Sequence, residues 1–323
     1  MIEWRMERQI SFCEMEYSLK DRKTRKELFL EKIGKVLPLE RWCAVIKPYY
    51  YEKGNGREPT PIEVILKMYL VSNWFNMSDE TTEDSLYENI TLKNYVGGTP
   101  DATTLCRFRK ILERNRLTEK LFKEQTAIFR QNGLVMHEGT IVDATIIESP
   151  KQTEGAFTYK NKQRYYGTKA HIGADKKTGI VHSVVVTPAN IADIDKAVEV
   201  LHGEEKEVYA DAGYVGLERR EDICAKYQDG TGEVEKVTNH SHKKRNYYVL
   251  KTRQIDFQIN GKRSKVTDAA AEQSKSKIRN KVEHAFCILK HRLLYRRTKY
   301  KTLAKNTTHL YMLFTLVNLC KVC

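Results

Sequence analysis

Long apolar runs are missing from this chain. No stretch of about 18 or more apolar residues occurs, which excludes a membrane-spanning helix, and the mean hydropathy of −0.58 agrees. The opening MIEWRMERQISFCEM contains no continuous apolar segment, so it does not read as a secretory signal. Cysteine is sparse and odd in number, with seven residues at Cys13, Cys43, Cys106, Cys224, Cys287, Cys320 and Cys323. That scatter does not make a disulfide framework and fits a reducing compartment. Repeats and low-complexity tracts are also absent, which excludes a solenoid and a mostly disordered chain.

What is present suffices for a core. The chain has 323 residues, 41% of them hydrophobic, and two domains are expected at that length. Its 56 Lys and Arg against 42 Asp and Glu give a net charge of +14. The excess is local. Residues 236–305 hold 20 basic and 4 acidic residues, while the rest of the chain is close to balance at 36 and 38. Charge concentrated in this way points to a polyanion, with nucleic acid the expected partner. A solvated basic surface is the competing explanation.

Residues 1–135 read as helical. Ile62, Leu66, Met68, Tyr69 and Trp74 follow Pro61 with helical spacing. Asp101 or Thr103 can cap a second helix, with Leu105, Phe108, Ile111 and Leu112 as its buried stripe. Arg107, Arg109 and Lys110 lie on its other face. This pattern suits a DNA-binding helix-turn-helix and a dimerising helical bundle equally.

From residue 136 the pattern changes. The β-branched run 140–147 predicts a strand, 166–174 and 180–187 predict two more around an Asp175–Gly179 turn, and 207–210 a fourth. The segment Pro188–Asp193 is expected to lead into a helix through Leu201, and a long helix is expected from Asp268 to Tyr295. The polar, basic segment 224–266 reads as an insertion with a strand or two between Tyr247 and Gln258. The order is that of an α/β domain of the ribonuclease-H-like kind, with an inserted basic segment.

Three carboxylates stand out by position. Asp143 interrupts an apolar strand, where an unpartnered charge costs several kcal/mol or shifts its pKa. Asp211 follows the fourth strand, at the C-terminal end where α/β sheets bind ligands. Glu283 is the one acid between 275 and 305, among 11 basic residues. Ile278, Val282, Ala285, Leu289 and Leu293 form the core face of its helix, while Arg279, Glu283 and Lys290 share an adjacent face. Hard oxygen donors of this type suit Mg²⁺ or Mn²⁺, and two such ions can serve phosphodiester chemistry. Each carboxylate also has an ordinary explanation: a core salt bridge for Asp143, a turn cap for Asp211, an ion pair with Arg279 for Glu283.

Other polar features carry less. The terminal CxxC at Cys320 and Cys323 lacks two further zinc ligands and suits a frayed end. His240 and His242 fit a solvated loop. Asn190 and Asp193 fit helix caps. Lys169 and His171 alternate on one strand face and are candidates for phosphate contact, His284 for a contact beside the site, and Tyr295 and Tyr300 for DNA or for the core.

Taken together the motifs resemble DDE transposases of prokaryotic insertion sequences, the insertion-sequence-five group. PIEVILKM (61–68) and PDATTLCRFR (100–109) resemble the helical N-terminal domain, and IVDAT (141–145) the first Asp strand. GTKAHIGAD (167–175), VVVTPAN (184–190) and YADAGYVG (209–216) resemble the segments up to the second Asp. RNKVEHAF (279–286), Lys290 and LAKNTTHL (303–310) resemble the Glu helix and the C-terminus. Ser276, Ala285, Cys287 and the stretch 150–165 depart from the usual pattern.

The resemblance implies a catalytic, metal-binding triad of Asp143, Asp211 and Glu283, assisted by Arg279 and Lys290. It implies two Mg²⁺ ions, with Mn²⁺ able to substitute. The reaction would be hydrolysis of double-stranded DNA at terminal inverted repeats, then transesterification of the 3′ ends into target DNA. A helical DNA-binding or dimerisation domain (1–135) would precede a ribonuclease-H-like catalytic domain (136–323). A homodimer or higher homo-oligomer, acting in the cytoplasm at the nucleoid, is expected. Arg107 and Arg109, with Lys243, Lys244 and Arg245 in the insertion, are the expected DNA contacts.

If the basic third meets phosphates, DNA affinity falls with salt with a log–log slope of about −0.9 per phosphate neutralised. Replacing Lys243, Lys244 and Arg245 by Ala is then expected to flatten the slope in a salt titration of binding. An unchanged slope would place that cluster away from DNA.

Overall fold

The computed structural model describes residues 15, 17, 19–51, 58–136, 138–160, 162–227, 234–238, 246–250, 255–260 and 269–323. Lys243, Lys244, Arg245, His240, His242 and Cys13 lie outside these. The chain forms two compact units, Met1–Ile111 with Val322–Cys323, and Leu112–Lys321.

The first unit is helical, and its helix starts are written in side chains. Helix α1 (Arg25–Val36) opens with a capping box: Thr24 accepts from the Glu27 amide and Glu27 accepts from the Thr24 amide. After α2 (Leu39–Ile46) comes α3 (Ile62–Trp74), which begins right after Pro61. Ile65, Leu66, Met68, Leu70 and Val71 of α3 are fully buried. A helix apolar on nearly every side belongs at the centre of its unit. Ser78 caps α4 (Asp79–Glu88). Asn89 caps α5 (Ile90–Val96), which ends at Gly97 in the left-handed region, φ 84°. Asp101 caps α6 (Ala102–Arg114) by accepting from the Thr104 amide at 2.7 Å.

The second unit starts with α7 (Leu117–Gln131) and holds a six-stranded mixed sheet. Its strands are β1 (Gly139–Glu148), β2 (Ala156–Lys160), β3 (Gln163–Asp175), β4 (Val181–Pro188) and β5 (Glu207–Ala210). The sixth, β8 (Asp256–Ile259), follows a separate antiparallel pair, β6 (Val234–Thr238) and β7 (Asn246–Leu250). Strand β1 is central. It runs antiparallel to β3 and parallel to β5, and β5 pairs in parallel with β8. The long β3 pairs along its other edge with β4 and then with β2. Short helices α8 (Ala197–Val200) and α9 (Glu221–Lys226) flank the sheet. Val142, Val200, Val208, Tyr214 and Ile223 share one core cluster there. Helix α10 (Ala269–Cys287) continues as a π-helical turn, Ile288–Arg292. Helix α11 (Leu303–Val322) ends the fold.

Several expectations needed correction. The helix expected to follow Pro188–Asp193 and run through Leu201 is a 3₁₀ turn at Asp193–Lys196 followed by the single turn α8. The insertion is shorter than 224–266. Its first residues belong to α9, and β8 completes the main sheet because its backbone pairs with β5. The end expected to fray is helical through Val322. Asn318 on α11 accepts from the Val181 amide at 2.9 Å and donates to the Val181 carbonyl at 2.7 Å. Thr118 and Gln125 on α7 donate to the carbonyls of Thr308 and Thr315 on α11.

Gly167 leaves no room for a side chain against β1: a Cβ there would lie 2.1 Å from the Ile147 carbonyl oxygen. Gly167→Ala is expected to destabilise the chain by roughly 1–3 kcal/mol, the usual cost of overpacking. The midpoint of chemical denaturation measures it, and an unshifted midpoint would show that the strands separate freely.

Candidate active site

The sequence places an aspartate in the middle of the central strand, and the fold keeps it there. Asp143 accepts from the Ala144 amide at 2.8 Å. Its side chain is 15% exposed, and the Arg279 guanidinium stands 3.8 Å from Oδ2. Burial pushes its pKa up to about 6, against the pull of that hydrogen bond and of Arg279, and the charge of Asp211 pushes the same way. Asp211 follows the end of β5, parallel to β1. Its Oδ1 accepts from the Gly213 amide at 2.8 Å and caps the 3₁₀ turn Ala212–Tyr214. A Cβ on Gly213 would lie 2.9 Å from that oxygen, so this tight cap suits glycine.

Helix α10 brings the third element. Arg279 donates from Nη1 to Asn260 Oδ1 at 3.1 Å, and Asn260 donates to Glu272 Oε2 at 2.7 Å. The Asn260 amide donates to the Ala210 carbonyl, next to Asp211. A relay Glu272–Asn260–Arg279 therefore fixes the guanidinium beside Asp143. Further along, Lys290 donates to the Ile146 carbonyl of β1 at 2.9 Å, and burial lowers its pKa. Glu283 lies on the same helix face, between these two anchors. It is exposed, with no hydrogen-bond or ion-pair partner among the described residues. The ion pair with Arg279 considered above is not formed, because Arg279 turns to Asp143 and Asn260.

The carboxylates do not stand converged. Among the described residues no three His, Cys, Asp or Glu side chains are close enough together to hold a metal ion. Asp143 and Asp211 feel each other's charge, while Glu283 points to solvent. The donor chemistry still fits a hard divalent cation. A half-buried carboxylate held near pKa 6, with a second carboxylate in range, lacks positive charge even with Arg279 beside it.

Other candidates fall inward. Lys169 pairs with Asp193 at 2.9 Å, and His171, fully buried, shares a hydrogen bond with Thr187 Oγ1 at 2.8 Å. Burial lowers the His171 pKa to about 4, and both side chains are engaged inside the unit. Asp193 caps no helix. Arg109 is paired with Asp79 inside the first unit, whereas Arg107 is exposed. Arg107 lines a groove of about 690 Å³ with Tyr50, Tyr51 and Tyr87. Tyr295 is core, at 1% exposure, and His284 is exposed. Two residues were missed from sequence. Asn260 had a faint signal, a polar residue closing a short strand. Tyr214 had none: it is 1% exposed and its hydroxyl has no hydrogen-bond partner among the described residues. Burial raises its pKa, and the charges of Asp143, Asp193 and Asp211 add to the effect.

Residues 136–319 match the model of the transposase DDE domain, and residues 17–111 match a second transposase domain, DUF772. The chain belongs to the DDE-domain transposase family. Transposition, a form of DNA recombination, is the family's process, and its members are metal-dependent enzymes that cleave DNA. Among solved structures the chain is similar to a cryo-EM structure of piggyBac transposase in a synaptic complex with hairpin DNA. The identity is 10% and the TM-score 0.40, over 93% of this chain and 76% of that one. A likeness at this level adds no argument to the family match. No helix among the described residues is long and apolar enough to cross a membrane.

Asp143 carries a titration signature. Its folded-state pKa of about 6 exceeds the value of about 3.9 in an unfolded chain. The folded state therefore holds the proton more tightly. Stability falls as pH rises through roughly 4 to 6 and stays lower above that window. Asp143→Asn is expected to stabilise the metal-free chain by roughly 1–3 kcal/mol at pH 7.5 and hardly at all near pH 4. Thermal melts at the two pH values check this, and equal shifts at both would remove the burial argument.

Proposed function

We propose that this transposase is of the insertion-sequence-five group and that its second unit carries a ribonuclease-H-like catalytic domain. The strand order supports that fold: three antiparallel strands, β4–β3–β1, followed by two strands parallel to β1. The observation that carries the site is Asp143, half-buried in the central strand within the field of Asp211, with the Glu283 helix anchored across the same strand by Arg279 and Lys290.

Asp143, Asp211 and Glu283 would hold two Mg²⁺ ions, with Mn²⁺ able to substitute. Bound there, the ions supply activation of water and stabilisation of the leaving 3′ oxygen. The chain's own residues do the rest. Asp143 and Asp211 are held rigidly by the sheet, and Glu283, exposed on its helix, is free to close onto them. Arg279 keeps Asp143 ionised and oriented. Arg107, with Lys243, Lys244 and Arg245, contacts the backbone of the terminal inverted repeats. The helical region through residue 135 serves DNA binding and assembly of a homodimer or higher oligomer. In the first step water attacks the phosphodiester at the element end and the 3′ oxygen leaves. In the second that 3′ hydroxyl attacks a target phosphodiester, and one bond replaces the other. The enzyme acts in the cytoplasm, on nucleoid DNA.

Glu283→Gln keeps the shape of the side chain and removes its charge. It is expected to bind element-end DNA as well as the parent chain does, or slightly better. Strand cleavage should fall by about two orders of magnitude or more, the scale of losing transition-state charge stabilisation. Asp143→Asn and Asp211→Asn should behave alike, and Glu119→Gln, a surface partner of Lys123 on α7, should cleave normally. Gel-shift and cleavage assays in Mg²⁺ separate the two effects. Normal cleavage by Glu283→Gln would end the triad assignment.

A further inference from the structure

The β2–β3 ribbon plays no part in the site described so far. Between Ala156 and Gly167 the chain carries three cations, Lys160, Lys162 and Arg164, four aromatic residues, and no Asp or Glu. Its register sets Phe157 opposite Tyr166 and Tyr159 opposite Arg164, so these four side chains share one face. Phe157 is 40% exposed and Tyr159 is 72% exposed. The Arg164 guanidinium lies 3.8 Å over the Phe157 ring, and Tyr166 meets that ring edge-on at 4.9 Å. Beside them runs a groove of about 610 Å³, lined in part by Lys151, Tyr165 and Arg297.

The ribbon rises next to the catalytic strand. Gly167, at its base, pairs with Glu148, the last residue of β1. The charge of Lys160, at its tip, reaches both Asp143 and Lys290.

An edge strand is normally guarded by charge, and Lys160 and Lys162 fit that role. Guarding does not explain two large aromatic side chains left in water on the same ribbon. Nor does phosphate binding, which needs no ring. A base inside a duplex has both faces covered by its neighbours, whereas an unpaired base offers a free face to an exposed ring. We propose that the ribbon is a platform for an unpaired nucleotide of the DNA beside the cleaved bond. Its base stacks on Tyr159, next to the Arg164–Phe157 pair, and its phosphates meet Lys160, Lys162 and Arg164. This rests on the transposase reading above and specifies the form of DNA that the site takes.

The test uses the full chain and three labelled DNAs: a blunt duplex, the same duplex with a short unpaired 3′ overhang, and that overhang with abasic sites. The parent chain should bind the overhang more tightly than the blunt end. Tyr159→Ala should lower affinity for the overhang roughly five- to a hundredfold, the range one base–aromatic stack supplies. It should leave the blunt and abasic probes, and the melting temperature, unchanged. Tyr159→Phe, which keeps the ring, should bind like the parent. Equal loss on all three probes would mean that the ribbon lies on duplex DNA and would overturn the proposal. So would no loss on any probe, or a parent chain indifferent to the overhang. The function reading fails separately, if Asp143→Asn still cleaves.

Discussion

A carboxylate in the middle of a buried strand is the constraint on which the second unit turns. Asp143 cannot leave β1, because Val142 and Ile147 on that strand are packed to zero exposure. It cannot ionise cheaply either, since burial holds its pKa near 6. The fold answers with position rather than with a tight salt bridge. Arg279 stops 3.8 Å away, held by Asn260, which is held in turn by Glu272. The positive charge is thus fixed near the carboxylate without neutralising it. An Asp left in that state has reason to take up a further cation, and a buried charge short of partners is a functional signal for that reason.

The same constraint orders the strands around it. Parallel pairing of β5 with β1 brings Asp211 to the strand end nearest Asp143, and parallel pairing of β8 with β5 brings Asn260 next to Asp211. Tyr214 fills the space behind. Its hydroxyl is buried without a partner among the described residues, a state that costs about 1–3 kcal/mol. Charged and polar groups thus gather at one end of the sheet in a state of incomplete satisfaction. The opposite end shows the contrast. There Glu205 accepts from Tyr227 and from the His202 and Gly203 amides, and its pKa is lowered despite burial. One buried carboxylate is fully satisfied and structural; the other is left open.

How much of this was readable depended on whether local pattern or tertiary context decided the outcome. Strands β1 and β4 declared themselves by β-branched runs, and Asp143 by breaking the first of them. Helix α6 declared itself by the Asp101 cap and a clean apolar stripe. Helix α11 did not, because it is apolar on most sides and shows no amphipathic period. Strand β8, four residues long, was expected near Gln258, but its place in the main sheet comes from its pairing with β5. Strand β2, rich in aromatic and basic residues, was hidden in a stretch that matched no pattern. Of the site, the positions of the carboxylates were legible. The relay through Asn260 and the direction of Arg279 depend on residues 19 apart in sequence meeting in space.

Net charge read from sequence does not by itself locate a DNA-facing surface. A lysine counts toward net charge wherever its ammonium points, and several of those in the basic third point inward. Lys290 is bonded to the Ile146 carbonyl, Lys281 to the carbonyls of Lys176 and Lys177, and Lys275 to the Ile259 carbonyl. These cations hold helix α10 to the sheet. Each already has a main-chain acceptor, which a phosphate would have to displace. Lys160, Lys162 and Arg164 sit outside that third, in a segment whose contribution to net charge is small, yet all three are exposed with no acid on their ribbon. The salt dependence of DNA binding counts ammonium and guanidinium groups that touch phosphate. Accessibility and local sign therefore bear on the interface more directly than the total does, and both favour the ribbon beside Asp143.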